Sequence, residues 1–366
     1  MQHRPTNFQG KRVVVVGIGN TAADTATALC GVASKVYLSH NHGALVLPRK
    51  MPSGEILDQG VTYRMMMIQY TMAKWAPSFA EKFGNKYVKK RQDAAFDIKP
   101  EWNLDSPSMI HTLPILSDTL IGELHKGRIE SVTGLKMATG DKQLELDDGT
   151  FIEVDAIIWC TGYLWKYAFL GEYDPSLKAV DGYIPTITGK AGPNQVPFPR
   201  LYRNIFSLDH PESLAFAGAA AFHTPIFVSW DLASMAIAQY WKKPERMPSK
   251  EAMLSSYQNH MAWANGILAH GKLDHRFVNA QEWTEWAQEA AGVRVSEHLG
   301  YGLSGWKFWY KDKALCKMLM DGLYSPHFLR LFDSDGRKAW KGARAEIEKV
   351  NESIRQRMAK GNDDAS

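Results

Sequence analysis

Four β-branched residues, Val13-Val14-Val15-Val16, run directly into Gly17-Ile18-Gly19-Asn20-Thr21-Ala22, and this junction constrains the fold more than any other stretch of the chain. A short, continuously apolar run of this kind reads as a strand buried on both faces, as in a parallel sheet. Glycines at 17 and 19 with a small residue at 22 fit the dinucleotide fingerprint Gly-x-Gly-x-x-Gly/Ala. Gly17 allows the tight turn, Gly19 lets the backbone approach a pyrophosphate, and Ala22 lets the following helix pack closely on its strand. The unpaired N–H groups at the start of that helix face the anion. Thr21 to Leu29 is Ala-rich and apolar and reads as the helix, while Val36-Tyr37-Leu38 gives the next strand and completes a βαβ unit.

The tip of the second strand decides which dinucleotide suits the turn. An Asp or Glu there accepts a hydrogen bond from the ribose 2′-OH of NAD. Here the tip is Ser39-His40-Asn41-His42, with Arg49 and Lys50 further on and no acid among them. Polar and basic groups suit a 2′-phosphate, so NADPH is expected over NADH. Each histidine alone reads equally well as a solvated loop residue. His40 and His42 have no nearby carboxylate to suggest a metal site, and no metal is expected.

A chain of 366 residues suits two domains, or one with a large insertion. Its net charge of +4 is not gathered into blocks, so nucleic-acid binding has no electrostatic support. Cys30, Cys160 and Cys316 form no Cys-x-x-Cys pair; Cys30 and Cys160 lie in apolar stretches and are expected to be buried free thiols. Residues before Val13 hold no apolar core of a signal peptide, and the longest apolar region, Leu214 to Trp241, is interrupted by His223, Pro225 and Asp231. A soluble, cytoplasmic protein is expected. The rings of Trp306 to Lys311 read as core, with contact to a membrane surface as the other reading.

Residues 61 to 90, with Met65, Met66, Met67, Ile68, Tyr70, Met72 and Trp75, read as helices whose apolar side chains form core or a pocket wall. Gln143 to Leu146 and Phe151 to Val154 alternate around Asp148-Gly149, a hairpin signal. Asp155 to Cys160 then reads as a buried parallel strand ending at Thr161-Gly162, the kind of strand end where open α/β sheets bind ligands. Gly182 to Arg200 reads as a surface connection. Leu214 to Gly218 reads as a short strand, followed by His223-Thr224-Pro225 and a helix to about Tyr240 whose start could face a flavin or phosphate edge. Beyond Pro248 the pattern is helical. Trp340, Ala343, Ile347, Val350, Ile354 and Met358 form one apolar stripe, and Gly361 to Ser366 is expected to be disordered.

Several of these segments, in order, resemble the flavin-containing monooxygenases. Phe8-Gln9-Gly10-Lys11-Arg12-Val13 is similar to the family's approach to its NADPH site. Gly17 to Asp24 resembles its Gly-x-Gly-Asn-Ser-Gly/Ala-x-Asp, with Thr21 for Ser. Ser39 to Ala44 resembles its Ser-Thr-Arg-Arg-Gly-Ala, and Cys160-Thr161-Gly162-Tyr163 its Ala-Thr-Gly-Tyr. The stretch from Leu214 through Pro225, Ser325-Pro326-His327 and Trp340 extend the likeness over nearly the whole chain.

The resemblance implies an α/β fold with a Rossmann-like NADPH domain over residues 8–155. A remnant of a FAD domain is expected at 156–248, a helical region at 249–360 and a tail at 361–366. It implies FAD and NADPH as cofactors, held by Gly17, Gly19, Asn20, Thr21, Ala22, Ala23, Asp24, Ser39, Asn41, His42, Arg49, Thr161, Gly162, Thr224 and Pro225. It also implies the activity: NADPH reduces FAD, a flavin C4a-hydroperoxide forms with O₂, and one oxygen atom passes to an amine or sulfide. The flavin carries that chemistry, so no protein nucleophile is required. The sequence accordingly has no Gly-x-Ser-x-Gly, and Gly182 to Lys190 is spaced wrongly for a P-loop.

Two departures accompany the likeness. The family's FAD-binding Gly-x-Gly-x-x-Gly and its Phe-x-Gly-x-x-x-His signature are absent, which leaves catalytic residues unassigned and reads as a truncated gene or degenerate copy. The strand at Ile157-Ile158 and the segment after Leu214 are then expected to lose neighbours in the FAD domain's sheet. Asn41-His42 replaces the arginine pair of the 2′-phosphate, which weakens NADPH selectivity unless Arg49 or Lys50 compensates. The alternatives left open are a non-catalytic NADP-binding or partner subunit, an enzyme completed by a chain carrying the FAD segment, a homo-oligomer, and a Baeyer–Villiger monooxygenase.

Overall fold

A computed structural model describes residues 4–106, 108–163, 167–177, 198–221, 225–271, 273–334 and 337–363. They fall into two units, Met1–Leu57 with Ser78–Leu164 and Asp58–Pro77 with Trp165–Ser366. The first unit begins with β1 (Arg12–Val16), α1 (Asn20–Leu29), β2 (Lys35–Ser39) and β3 (Val46–Leu47). After α2 (Tyr63–Trp75), which belongs to the second unit, it resumes with α3 (Pro77–Ala95), β4 (Ile115–Leu116), α4 (Leu120–His125) and β5 (Ile129–Val132). It ends with β6 (Leu135–Ala138), β7 (Gln143–Leu146), β8 (Phe151–Glu153) and β9 (Ala156–Trp159).

Four strands form one sheet in the order β5-β2-β1-β9, and every neighbouring pair is parallel. Successive residues of a strand face opposite sides, so the valine run feeds two cores. Val13 and Val15 join Ala22, Ala26, Leu120, Ile121 and Leu124 of α1 and α4. Val14 faces Leu144 and Val154, where the antiparallel β6–β7–β8 meander covers the other side. The expected hairpin is present, with Gln143 opposite Glu153 and Gly149 at φ +83° in its turn.

The strand at Ile157-Ile158 differs from expectation. It does not stand as a remnant of another sheet: β9 pairs with β1, Val14 opposite Ile157, and covers what would otherwise be an open edge of that strand. An ion pair sets the register. Asp155 accepts from the Arg12 backbone N–H at 2.9 Å and from Arg12 Nε at 3.2 Å, while Asp155 N donates to the Arg12 carbonyl at 2.8 Å. Lys142 Nζ reaches the same carboxylate at 2.9 Å. Hydrogen bonds from Arg12 hold the Asp155 carboxyl well below the usual carboxylate range.

The second unit contains α2, β10 (Leu201–Tyr202), β11 (Phe206–Ser207), α5 (Ile226–Lys242), α6 (Lys250–Leu268) and α7 (Ala280–Ala291). It continues through α8 (Val295–Leu299), α9 (Leu303–Lys311), α10 (Lys313–Asp321) and α11 (Ala343–Asp363). The expected strand at Leu214–Gly218 is reduced to one bridge, Ala215 to Phe206, because β10 and β11 fold on each other. Arg203 and Asn204, both left-handed (φ 56° and 55°), make their turn, and the buried Asn204 Nδ2 donates to the His275 carbonyl at 3.1 Å.

The helix after Pro225 and the helical region beyond Pro248 are present. In α11, Ala343 and Ile347 are buried and Val350 and Ile354 half-buried, so the stripe packs on one side; Trp340 precedes the helix. α11 runs through Asp363 and takes up the start of the expected tail. The side chain of Met358, residues 364–366 and most of the Gly182–Arg200 connection lie outside the described residues.

Two apolar clusters differ from expectation. In α2 Tyr63 and Met66 are buried, but Met65, Ile68 and Trp75 are exposed. Of the ring-rich stretch in α9, Trp306, Trp309 and Tyr310 face solvent and are not core. Cys316 is buried, whereas Cys30 and Cys160 are half-buried; all three are free thiols. Among the described residues no helix is long and apolar enough to cross a membrane.

Candidate functional site

The dinucleotide turn sits where the chain leaves β1. Gly17 adopts φ +123°, and a Cβ there would collide with the carbonyl oxygen of Cys160, so neither a side chain nor another backbone fits. Gly17 N donates to the Ser39 carbonyl at 2.8 Å, and Cys160 N donates to the Val16 carbonyl at 2.8 Å. The turn is therefore wedged between the ends of β2 and β9. β1 leads to β2 on one side and is flanked by β9 on the other, a topological switch point, and open α/β sheets bind ligands outside the strand ends at such a point.

The rest of the fingerprint matches this geometry. Gly19 is the extended N-cap of α1 (φ −103°) with no side-chain cap. Nothing lies within 4 Å of where its Cβ would be, leaving the approach to the first-turn N–H groups open. Ala22 and Ala23 are fully buried, and Ala23 N donates to the Gly19 carbonyl at 3.0 Å. Thr21 is exposed in the first turn. Thr161 and Gly162 are exposed at the end of β9, and Gly162 is at φ +86°. These residues fit a pyrophosphate at the end of the sheet. Cys160, whose Sγ lies 3.9 Å from Thr25 Oγ1, completes the floor; the sequence places it at a strand end, and its carbonyl is what requires Gly17.

Other expected residues make contacts within the fold. Asn20 Oδ1 accepts from Leu116 N at 2.8 Å and braces β4. Asp24 lies 4.0 Å from Arg49, and Arg49 also pairs with Asp118 at 3.4 Å. Ser39 is buried and donates to the Thr133 carbonyl at 2.8 Å. His40 is buried between the His42 carbonyl (3.0 Å) and Ser131 Oγ (2.9 Å), and burial pushes its imidazole below the ordinary value. Asn41 and His42 alone of the tip are exposed.

One contact was not legible in the sequence. A Cβ on Gly134 would overlap both Asn41 Oδ1 and Asp147 Oδ2, so the two side chains converge over that glycine. Asp147 N donates to the Gly134 carbonyl at 2.8 Å, which fixes the hairpin turn beside the β2 tip.

In the second unit Pro225 is the N-cap of α5, and Thr224 lies outside the described residues. The described residues thus contain one dinucleotide cradle. The second unit's described strands are the two-residue antiparallel pair β10–β11.

Residues 2–362 match the flavin-binding monooxygenase-like family. The chain is 43% identical over 351 residues to monooxygenase aurF of Gibberella zeae, covering 95% of this chain and 65% of that one. It is 25% identical over 355 residues to flavin-containing monooxygenase 5 of Homo sapiens, covering 96% and 60%. It therefore spans less than two thirds of the length of either relative. Among solved structures, cyclohexanone monooxygenase from Rhodococcus sp. Phi1 bound to NADP⁺ is similar at 13% identity and a TM-score of 0.47, covering 80% of this chain and 66% of that one. With a match over nearly its whole length behind the turn at Gly17, this chain belongs to the flavin-binding monooxygenase-like family.

Proposed function

We propose that this protein is a flavin-dependent monooxygenase that oxygenates a soft nucleophile, an amine or a sulfide, with O₂ and a reduced nicotinamide dinucleotide. The observation that carries this reading is the Gly17 turn, closed against the Cys160 carbonyl and open at Gly19, at the switch point of a parallel sheet. Gly19 and the first turn of α1 bind the pyrophosphate through backbone N–H groups. Ala22 and Ala23 hold α1 against the sheet, and Thr161 and Gly162 line the same end of it. Asp155 and Arg12 keep β9 in register, so that the Cys160 carbonyl meets Gly17. When bound, flavin supplies the redox chemistry and the activation of O₂. The family resemblance implies NADPH as the reductant.

One observation favours a second reading, a dinucleotide-binding protein that does not itself oxygenate: the described part of the second unit holds no parallel sheet. A visible spectrum separates the two. The full chain is incubated with excess FAD, desalted, and then given reduced dinucleotide without oxygen. A retained flavin band that bleaches supports the monooxygenase. Dinucleotide binding without retained flavin supports the second reading.

A further inference from the structure

The turn at Gly17 grips a pyrophosphate through backbone alone and is indifferent to what the adenosine ribose carries; the β2 tip is not. No acid lies between β2 and Lys50 in the chain, which on sequence favours NADPH. In space an acid stands there, because the β7–β8 hairpin brings Asp147 against Asn41 over Gly134. Asp148, in the same turn, accepts from Thr150 N at 2.9 Å and from Thr150 Oγ1 at 2.7 Å, so a second negative charge is fixed nearby.

Most cations of this unit near the tip in sequence or in the hairpin already face a carboxylate: Arg49 pairs with Asp118 and Asp24, Lys136 with Glu145 at 2.6 Å, and Lys142 with Asp155 at 2.9 Å, while Lys50 is exposed further along the chain. His40 is internal, held between the His42 carbonyl and Ser131 Oγ. A dianionic 2′-phosphate at this tip would meet the Asp147 carboxylate and be repelled by it. A free 2′-hydroxyl is suited to it, since a carboxylate accepts a hydrogen bond from the hydroxyl and an amide can complete the contact.

We propose that the dinucleotide this chain binds is the one without a 2′-phosphate, NADH, with Asp147 and Asn41 as the residues that select it. The inference rests on the dinucleotide reading above and adds its selectivity at the adenosine end. Asp147 and Asn41 are positioned by hairpin and tip backbone, so selectivity is carried by two exposed side chains.

Titration calorimetry of the full chain with NAD⁺ and with NADP⁺ tests this without turnover. NAD⁺ is expected to bind at least about tenfold more tightly, the order of effect set by a unit charge within contact distance of a dianion. Asp147→Asn is expected to shrink that ratio by about tenfold with an unchanged melting temperature, and Asn41→Arg with His42→Arg to reverse it. NADP⁺ binding as tightly as NAD⁺ to the native chain overturns the selectivity and leaves the dinucleotide reading standing. Binding of neither overturns both. A folded Asp147→Asn or Asp147→Ser chain with an unchanged ratio overturns the role of Asp147.

Discussion

In the first unit a parallel sheet carries apolar residues on both faces, and its buried polar groups lie mostly at strand ends, where backbone satisfies them. Ser39 on the Thr133 carbonyl and Gly17 on the Ser39 carbonyl are examples. In the second unit helices pack around strands only two residues long, and polar side chains enter the interior: Asn204, His275 and Gln288 are all buried. Asp231 and Arg330 join α5 to the segment after α10 through a two-pronged ion pair. A backbone-built region has no spare volume at its turns. A region with polar side chains inside is sensitive instead to where protons and charges sit.

The largest effect expected from this contrast is at Gly17. Gly17→Val places a β-branched residue at φ +123° against the Cys160 carbonyl. Strain and overpacking together should cost about 4 kcal/mol and abolish dinucleotide binding, read by melting and calorimetry. Next comes acid. His275 is buried, and desolvation pushes its imidazole down to about 4, although Asp274 lies 3.6 Å away. The native state keeps it neutral while the unfolded chain takes up a proton, so stability is full above about pH 6.5 and falls as pH drops towards about 4. His260 behaves in the same direction for the same cause. The expected loss for His275 is about 3 kcal/mol across that window, and His275→Phe should flatten it. In the first unit the buried His40 is pushed down by the same desolvation and loses support in the same direction, while Asp155 responds later: its carboxyl lies below the usual range, so its support is present above about pH 4 and lost only in stronger acid. A melting series in which His275→Phe left the loss below about pH 6.5 unchanged would break the contrast. Smaller again is Asp231→Ala, expected to cost about 2 kcal/mol by leaving Arg330 without its carboxylate, with dinucleotide affinity unchanged.

Local periodicity made β1, α1, β2 and the β7–β8 hairpin legible, because each is specified by residues within a few positions of one another. The helices α5 and α11 were legible for the same reason. The neighbour of β9 was not. An apolar run says that a strand is buried and cannot say beside what, and the contacts that decide it, Arg12 with Asp155, are 143 residues apart. Leu214 to Gly218 has strand composition, yet the tight Arg203-Asn204 turn had already paired β11 with β10. The site divides the same way. Gly17, Gly19 and Ala22 could be read from spacing, whereas Asp147 reads as one residue of an Asp-Asp-Gly turn until the fold sets it against Asn41.

The smallest perturbation separates fold from function most cleanly. Gly19 and Gly17 look interchangeable in the fingerprint, but their surroundings differ. At Gly19 the backbone is extended, a conformation any residue adopts, and no protein atom lies within 4 Å of a Cβ. Gly19→Ala should therefore lower the melting temperature by no more than about 3 °C, the cost of alanine at an N-cap, since the added methyl itself meets only solvent. If a pyrophosphate docks on the first turn of α1, that methyl occupies its approach, and the affinity for either dinucleotide should fall about tenfold, equivalent to about 1.4 kcal/mol. Unchanged affinity in a chain that still binds dinucleotide would mean that the ligand does not approach α1 through Gly19. A melting temperature lowered as much as by Gly17→Val would mean that Gly19, like Gly17, is held by the fold.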